Sequence, residues 1–196
     1  MIVRKHLIVI FSILGMLLSI RYASAQRGDW LESMSVNGSV GLQEVSTDIR
    51  LGWQVEVLLR SKQVGFGAFT AKTIDDASLG ARLNMRFGGF VLRYEQPVFA
   101  GLWVWGDGHL GWGRLDGYSS DAAPNPDLFQ DGLNVQELGV GIRMELFGGW
   151  SVYTASAYRW AQVPRTDQIT DTDLSTLRLS VGVEWAWSWG ISDKSQ

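Results

Sequence analysis

From Met34 onward the apolar side chains fall on every second position: Met34, Val36, Val40 and Leu42 alternate with Ser35, Asn37, Ser39 and Gln43. Successive side chains of an extended chain point to opposite faces, so a period of two predicts a strand with one apolar and one polar face. The phase changes near Gln43-Glu44, which predicts a turn, and Ile49, Leu51, Trp53, Val55, Val57 and Leu59 then alternate with Asp48, Arg50, Gly52, Gln54 and Glu56. Residues 60–63, RSKQ, predict a second turn, followed by a strand over VGFGAFTAK with Val64, Phe66, Ala68 and Thr70 on its apolar face.

In the next segment Leu79, Ala81, Leu83, Met85 and Phe87 alternate with Gly80, Arg82, Asn84 and Arg86. Beyond Gly88-Gly89 the phase reverses, with Phe90, Leu92 and Tyr94 on the apolar side and Val91, Arg93 and Glu95 opposite. A glycine pair at such a reversal is either a tight hairpin or a β-bulge within one strand. A hairpin would bring the strand total to nine, whereas bacterial single-chain membrane barrels have an even number, so a bulge and eight strands are expected.

The fifth strand, LWVWGDGHLGWGRL, sets Leu102, Val104, Leu110 and Trp112 against Trp103, Trp105, Asp107 and His109. A long loop is expected over 116–134. The clearest alternation follows, with Leu138, Val140, Ile142, Met144 and Leu146 against Glu137, Gly139, Gly141, Arg143 and Glu145. A turn at Gly148-Gly149 leads into WSVYTASAYRW, and a loop over 163–174 leads into a last strand running from Leu177 to Trp189.

Short connections at 60–63, 97–101 and 148–149 would then lie at one end and the long ones at 116–134 and 163–174 at the other. That asymmetry is expected of an outer-membrane barrel, so the predicted fold is all-β, an eight-stranded antiparallel up-and-down transmembrane β-barrel. Alternation alone leaves open whether the apolar face meets lipid or a soluble core. Trp53, Trp112, Trp150, Trp160, Trp185, Trp187 and Trp189 sit on that face near strand ends, where an indole can bridge hydrocarbon and headgroups. A lumen of eight strands is just filled by ordinary side chains and would be overfilled by them.

The N-terminus changes the picture in one respect. Arg4, Lys5 and His6 precede the apolar run Leu7 to Ile20, and ASA ends at Ala25, so residues 1–25 are expected to be a cleaved signal peptide and 26–196 the barrel domain. The run is short for a membrane-spanning helix, which needs about 20 residues. The chain has no Cys, which excludes both a disulfide framework and a lipid anchor on cysteine. Cleavage would remove Arg4, Lys5 and Arg21 from the 17 basic residues and none of the 20 acidic ones, so the mature chain is acidic and carries no nucleic-acid footprint.

The inward face has a distinct chemistry. Arg50, Arg82, Arg86, Arg93, Arg143, Arg159 and Arg178 are predicted to share it with Asp48, Glu56, Glu95, Asp107, Glu137, Glu145 and Glu184, together with His109. Every cation is Arg, whose planar fork suits carboxylates in a confined space. The expectation is a lumen closed by paired charges, with Arg143 and Glu145 as one candidate pair.

GFVLRYEQP followed by LWVWGDGHLGWG resembles the outer-membrane β-barrel domain family that includes small OmpX-like and opacity-like proteins, and VGIRMELFGGWSVYTASAYRW is similar to that family's penultimate hairpin. The resemblance covers most of residues 30 to 189 and implies the eight-stranded fold and outer-membrane insertion. Members commonly end on an aromatic residue, the signal read by the insertion machinery, whereas here GISDKSQ follows Trp189.

Candidate chemistry is sparse. His109 with Asp107 would serve a lipid-modifying enzyme only if a nucleophilic Ser lay beside it, and the neighbouring same-face positions are Asp107 and Gly111. The loop acids Asp116, Asp121, Asp127, Asp131, Asp167, Asp171 and Asp173 lack calcium-loop spacing. No cofactor or metal is expected. The leading expectation is a monomeric structural or surface-interaction protein in the outer membrane of a Gram-negative bacterium. Its partners would be outer-membrane lipid, the barrel-insertion machinery and a surface partner of unknown identity. A lipid-modifying enzyme, a narrow channel and a soluble periplasmic binding barrel are the alternatives.

Overall fold

A computed structural model of the chain describes residues 32–45, 48–73, 82–118, 128–162 and 175–188. They form eight strands: β1 (Ser33–Val45), β2 (Asp48–Ser61), β3 (Val64–Thr73), β4 (Arg82–Phe99), β5 (Leu102–Tyr118), β6 (Leu128–Glu145), β7 (Trp150–Gln162) and β8 (Thr176–Ser188). Each pairs antiparallel with the next, and β8 returns to β1 through a register running from Ser33↔Ser188 to Gln43↔Arg178, so the barrel is closed. The expected signal peptide, Trp189 and the tail after it lie outside the described residues.

Three short connections define one end, here the turn end. Gly101 (φ 76°), Gly148 (φ 57°) and Gly149 (φ 83°) supply the left-handed backbone that two of these turns require. The other, loop end carries the connections 119–127 and 163–174. The first of these is shorter than the 116–134 expected, because β5 and β6 stay paired out to Tyr118↔Leu128. The turn expected at Gln43-Glu44 falls later, since pairing of β1 with β2 continues to Val45↔Asp48.

The eight-strand count holds, but β4 has no bulge at Gly88-Gly89. Its ladder to β3 is unbroken from Arg86 to Tyr94, and the one register shift against β5 lies between Pro97 and Phe99, where proline has no N–H to donate. Odd positions of β4 therefore face inward from Met85 to Glu95. Met85 and Phe87 are buried in the lumen, and Arg86 is exposed on the outer face. The apparent phase reversal in the sequence is a change in what the lumen holds, from charged near Arg93 to apolar near Phe87.

The outer surface is an apolar belt. Val40, Leu51, Val55, Phe66, Phe90, Leu110, Val140, Ile142, Leu179 and Val181 are all exposed, with Trp112 and Trp160 toward the loop end and Trp150, Trp185 and Trp187 toward the turn end. Such a contiguous apolar surface is stable only against hydrocarbon. Val140 lies at mid-barrel, 63% exposed. Val140→Arg should therefore reduce folding into bilayers by about 2–4 kcal/mol, measured by titrating refolding into lipid vesicles, whereas Val140→Leu should change little.

Candidate functional site

The lumen is built from inward-facing residues of all eight strands and is layered along the barrel axis. Nearest the turn end, Arg60 of β2, Glu95 of β4, Arg143 of β6 and Glu184 of β8 close a ring of alternating charge across the interior. Arg60 donates to both Glu184 oxygens at 2.8 and 2.6 Å, and its Nη2 lies 2.9 Å from Glu95 Oε1. Arg143 completes the circuit to Glu184 at 2.5 Å and to Glu95 at 3.1 Å. Arg143 also lies 5.1 Å from the centre of the Trp103 ring.

The middle layer centres on Arg93, which donates to Glu56 and Asp107, each at 2.8 Å, and lies 4.3 Å from the Trp105 ring centre. His109 Nε2 is 3.0 Å from Glu56 Oε1, while Asn37 and Gln54 donate to the two Glu56 oxygens at 3.2 and 2.6 Å. Room for Trp105 and Tyr153 comes from their glycine partners on the neighbouring strands, since a Cβ at Gly141 or Gly182 would strike those rings.

A third polar layer follows. Arg159 donates to Glu137 at 3.0 and 2.9 Å and to Gln43 at 2.5 Å, Gln43 donates to Thr73, and Arg178 donates to Gln54. Arg178 also approaches Glu137 at 3.5 Å. Above it, toward the loop end, Met85, Phe87, Leu115, Leu133, Val135, Ala71 and Ala161 form an apolar core inside the barrel. The two are joined by Arg159, whose guanidinium covers the Phe87 ring at 4.7 Å, and by Phe69, edge-on to both Phe87 and His109. The void lined by Gln43, Gln54, Phe87, Arg159 and Arg178 is about 10 Å³, room for one water at most.

Of the residues expected in the lumen, Arg50, Glu56, Arg93, Glu95, His109, Glu137, Arg143, Arg159, Arg178 and Glu184 are buried there, and Asp107 is half-buried. Arg86 is not, for the phase reason given above. Glu145 sits at the exposed rim, 3.6 Å from Arg143, so Glu184 rather than Glu145 is the main partner of Arg143. The side chains of Asp48 and Arg82 lie outside the described residues. Arg60 was missed because RSKQ resembled a turn, although its even position continues the inward series Gln54, Glu56, Leu58. Asn37, Gln43 and Gln54 were legible as polar positions but not as bridges between ion pairs.

The geometry limits what chemistry the lumen can do. Among the described residues no Ser hydroxyl contacts His109, so the nucleophile that a deacylating site needs is not there. Ligand atoms of Glu56, Asp107 and His109 lie within 4.8 Å of one another, a spacing a cation could use. Arg93 already binds both carboxylates, however, and its fixed charge would oppose a metal ion.

An eight-stranded closed barrel with an apolar exterior and a charged, packed interior is the class defined by these observations: a membrane-spanning β-barrel. The chain is similar in fold to Neisserial surface protein A at a TM-score of 0.59 and 9% identity, covering 78% of this chain and 95% of that one. It is similar to a major outer membrane protein of Thermus thermophilus at 0.59 and 12%, covering 79% and 98%. The attachment invasion locus protein Ail of Yersinia pestis matches at 0.51 and 11%, covering 81% and 100%. At these identities the likeness is one of fold. No protein-family model and no curated protein sequence matches.

Proposed function

We propose that this protein is an outer-membrane barrel of a Gram-negative bacterium whose lumen is sealed and whose loop end faces outward as an interaction surface. On this reading residues 1–25 direct export and are removed. The barrel is inserted as a monomer by the insertion machinery and held by outer-membrane lipid. The observation that carries it is the stacking of three ion-paired layers under an apolar one, with a void of only about 10 Å³ among Gln43, Gln54, Phe87, Arg159 and Arg178, whereas a pore needs a continuous water column. Fold relatives that are surface and outer-membrane proteins support the location.

Planar-bilayer recording of the purified barrel tests the sealed lumen. No steady conductance is expected, and large sustained openings would establish a channel instead. Orientation is tested separately by adding proteinase K to intact cells, where cleavage is expected within 119–127, a segment holding Pro124 and Pro126. Cleavage confined to the Arg60 to Lys62 turn would mean that the barrel is inverted.

A further inference from the structure

The outer face carries one feature that neither the lumen nor the apolar belt accounts for. Lys72 of β3, Arg86 of β4 and Arg114 of β5 occupy one cross-strand row, Lys72↔Arg86 and Arg86↔Arg114 being direct partners in the sheet. All three belong to the outward-facing series. Arg86 is exposed, the Arg114 side chain is 51% exposed and Lys72 is half-buried. Like charges placed directly opposite across a sheet repel, and the only carboxylate against the row among the described residues is Asp116, 2.8 Å from Arg114 Nε. Lys72 and Arg86 pair with no carboxylate among those residues.

The position of the row is as specific as its charge. One outward step toward the turn end from each cation stand Thr70, Gly88 and Trp112, and Phe90 meets Trp112 edge-on at 5.7 Å and stacks with Phe66 at 6.2 Å. The cations thus lie directly above the aromatic border of the belt, where hydrocarbon gives way to headgroups. They are also confined to one sector. Among the described outward side chains of the strands, the ionised groups are Lys72, Arg86, Arg114 and Asp116, whereas β6 and β7 present Gln136, Asn134 and Gln162 toward their loop ends. A nonspecific attraction to anionic headgroups would call for cations around the whole circumference.

We propose that this row on β3, β4 and β5 is a binding site for the phosphates of a diphosphorylated glycolipid in the outward leaflet, its acyl chains lying over Phe66, Phe90 and Trp112. The Lys72 and Arg114 backbones lie about 10 Å apart across three adjacent strands, so the row is wide enough to take two phosphates side by side. Arg86 at the centre can reach either, and the Asp116 contact holds the Arg114 guanidinium at the rim. The proposal rests on the outer-membrane reading, whose own failure would show in membrane fractionation and not in the binding test below.

The test is native mass spectrometry of the refolded protein in a neutral detergent, titrated separately with diphosphoryl lipid A and with phosphatidylglycerol. Wild type should retain lipid A in preference to phosphatidylglycerol, with binding that weakens as salt is raised. Each cation near an anionic surface is worth about fivefold, so Lys72→Gln/Arg86→Gln/Arg114→Gln should bind about 100-fold more weakly. Lys62→Gln at the turn end should bind as wild type does. A heat-dependent gel shift reports whether the triple variant folds, and if it does not, Lys72→Arg/Arg86→Lys must still bind. Equal retention by wild type and the folded triple variant overturns the site. Equal retention of phosphatidylglycerol, or displacement by equimolar inorganic phosphate, overturns the diphosphorylated lipid as its occupant.

Discussion

Glu184→Leu is expected to destabilise the folded barrel by about 3–5 kcal/mol, the cost of leaving buried charge without its partner. Glu184 is 1% exposed and is the shared acceptor of Arg60 and Arg143, so its loss leaves two guanidiniums facing the single carboxylate of Glu95. Urea unfolding in detergent micelles, followed by tryptophan fluorescence, measures the change. Adding Arg60→Met should restore part of the loss, because Arg143 and Glu95 then remain as a balanced pair 3.1 Å apart. Glu145→Leu at the exposed rim should cost under about 1 kcal/mol. If Glu184→Leu and Glu145→Leu were equally mild, the ring would be solvated rather than dry.

Phe87→Ala should cost about 3–5 kcal/mol in the same assay, as removal of a buried aromatic ring does when its surroundings cannot collapse. Phe87 is 5% exposed, lies 5.9 Å from the Phe69 ring and is covered by Arg159, so truncation opens a hole beneath a buried cation. Phe90→Ala, three residues away and 53% exposed on the lipid face, should cost far less. The reverse order of effects would restore a bulge at Gly88-Gly89 and turn Phe87 outward.

The contrast between those two phenylalanines also marks how far the sequence could be read. Alternation placed seven of the eight strands in the right phase, because on those strands the outward face is mainly apolar and the inward face keeps enough polar or small residues to mark it, even where Leu58, Phe69, Leu115, Leu133 and Val135 interrupt the run. On β4 that rule breaks, since Met85 and Phe87 are apolar and inward while Arg86 is cationic and outward. Periodicity records polarity and not direction, so an apolar core inside a lipid-facing barrel is invisible to it. The ion-pair partners were hidden for a different reason. Arg60 and Glu184 meet across the lumen 124 residues apart, and no local pattern encodes which carboxylate a guanidinium will find.

The ring of Arg60, Glu95, Arg143 and Glu184 draws one member from every second strand, β2, β4, β6 and β8. No hairpin, and no open sheet lacking β8, can assemble it. Its completion therefore coincides with closure of the seam between β1 and β8, which makes the C-terminal strand a latch whose docking neutralises the interior and removes the two free edges in one event. Partly zipped sheets, with their unpaired strand edges and uncompensated cations, gain none of that stabilisation.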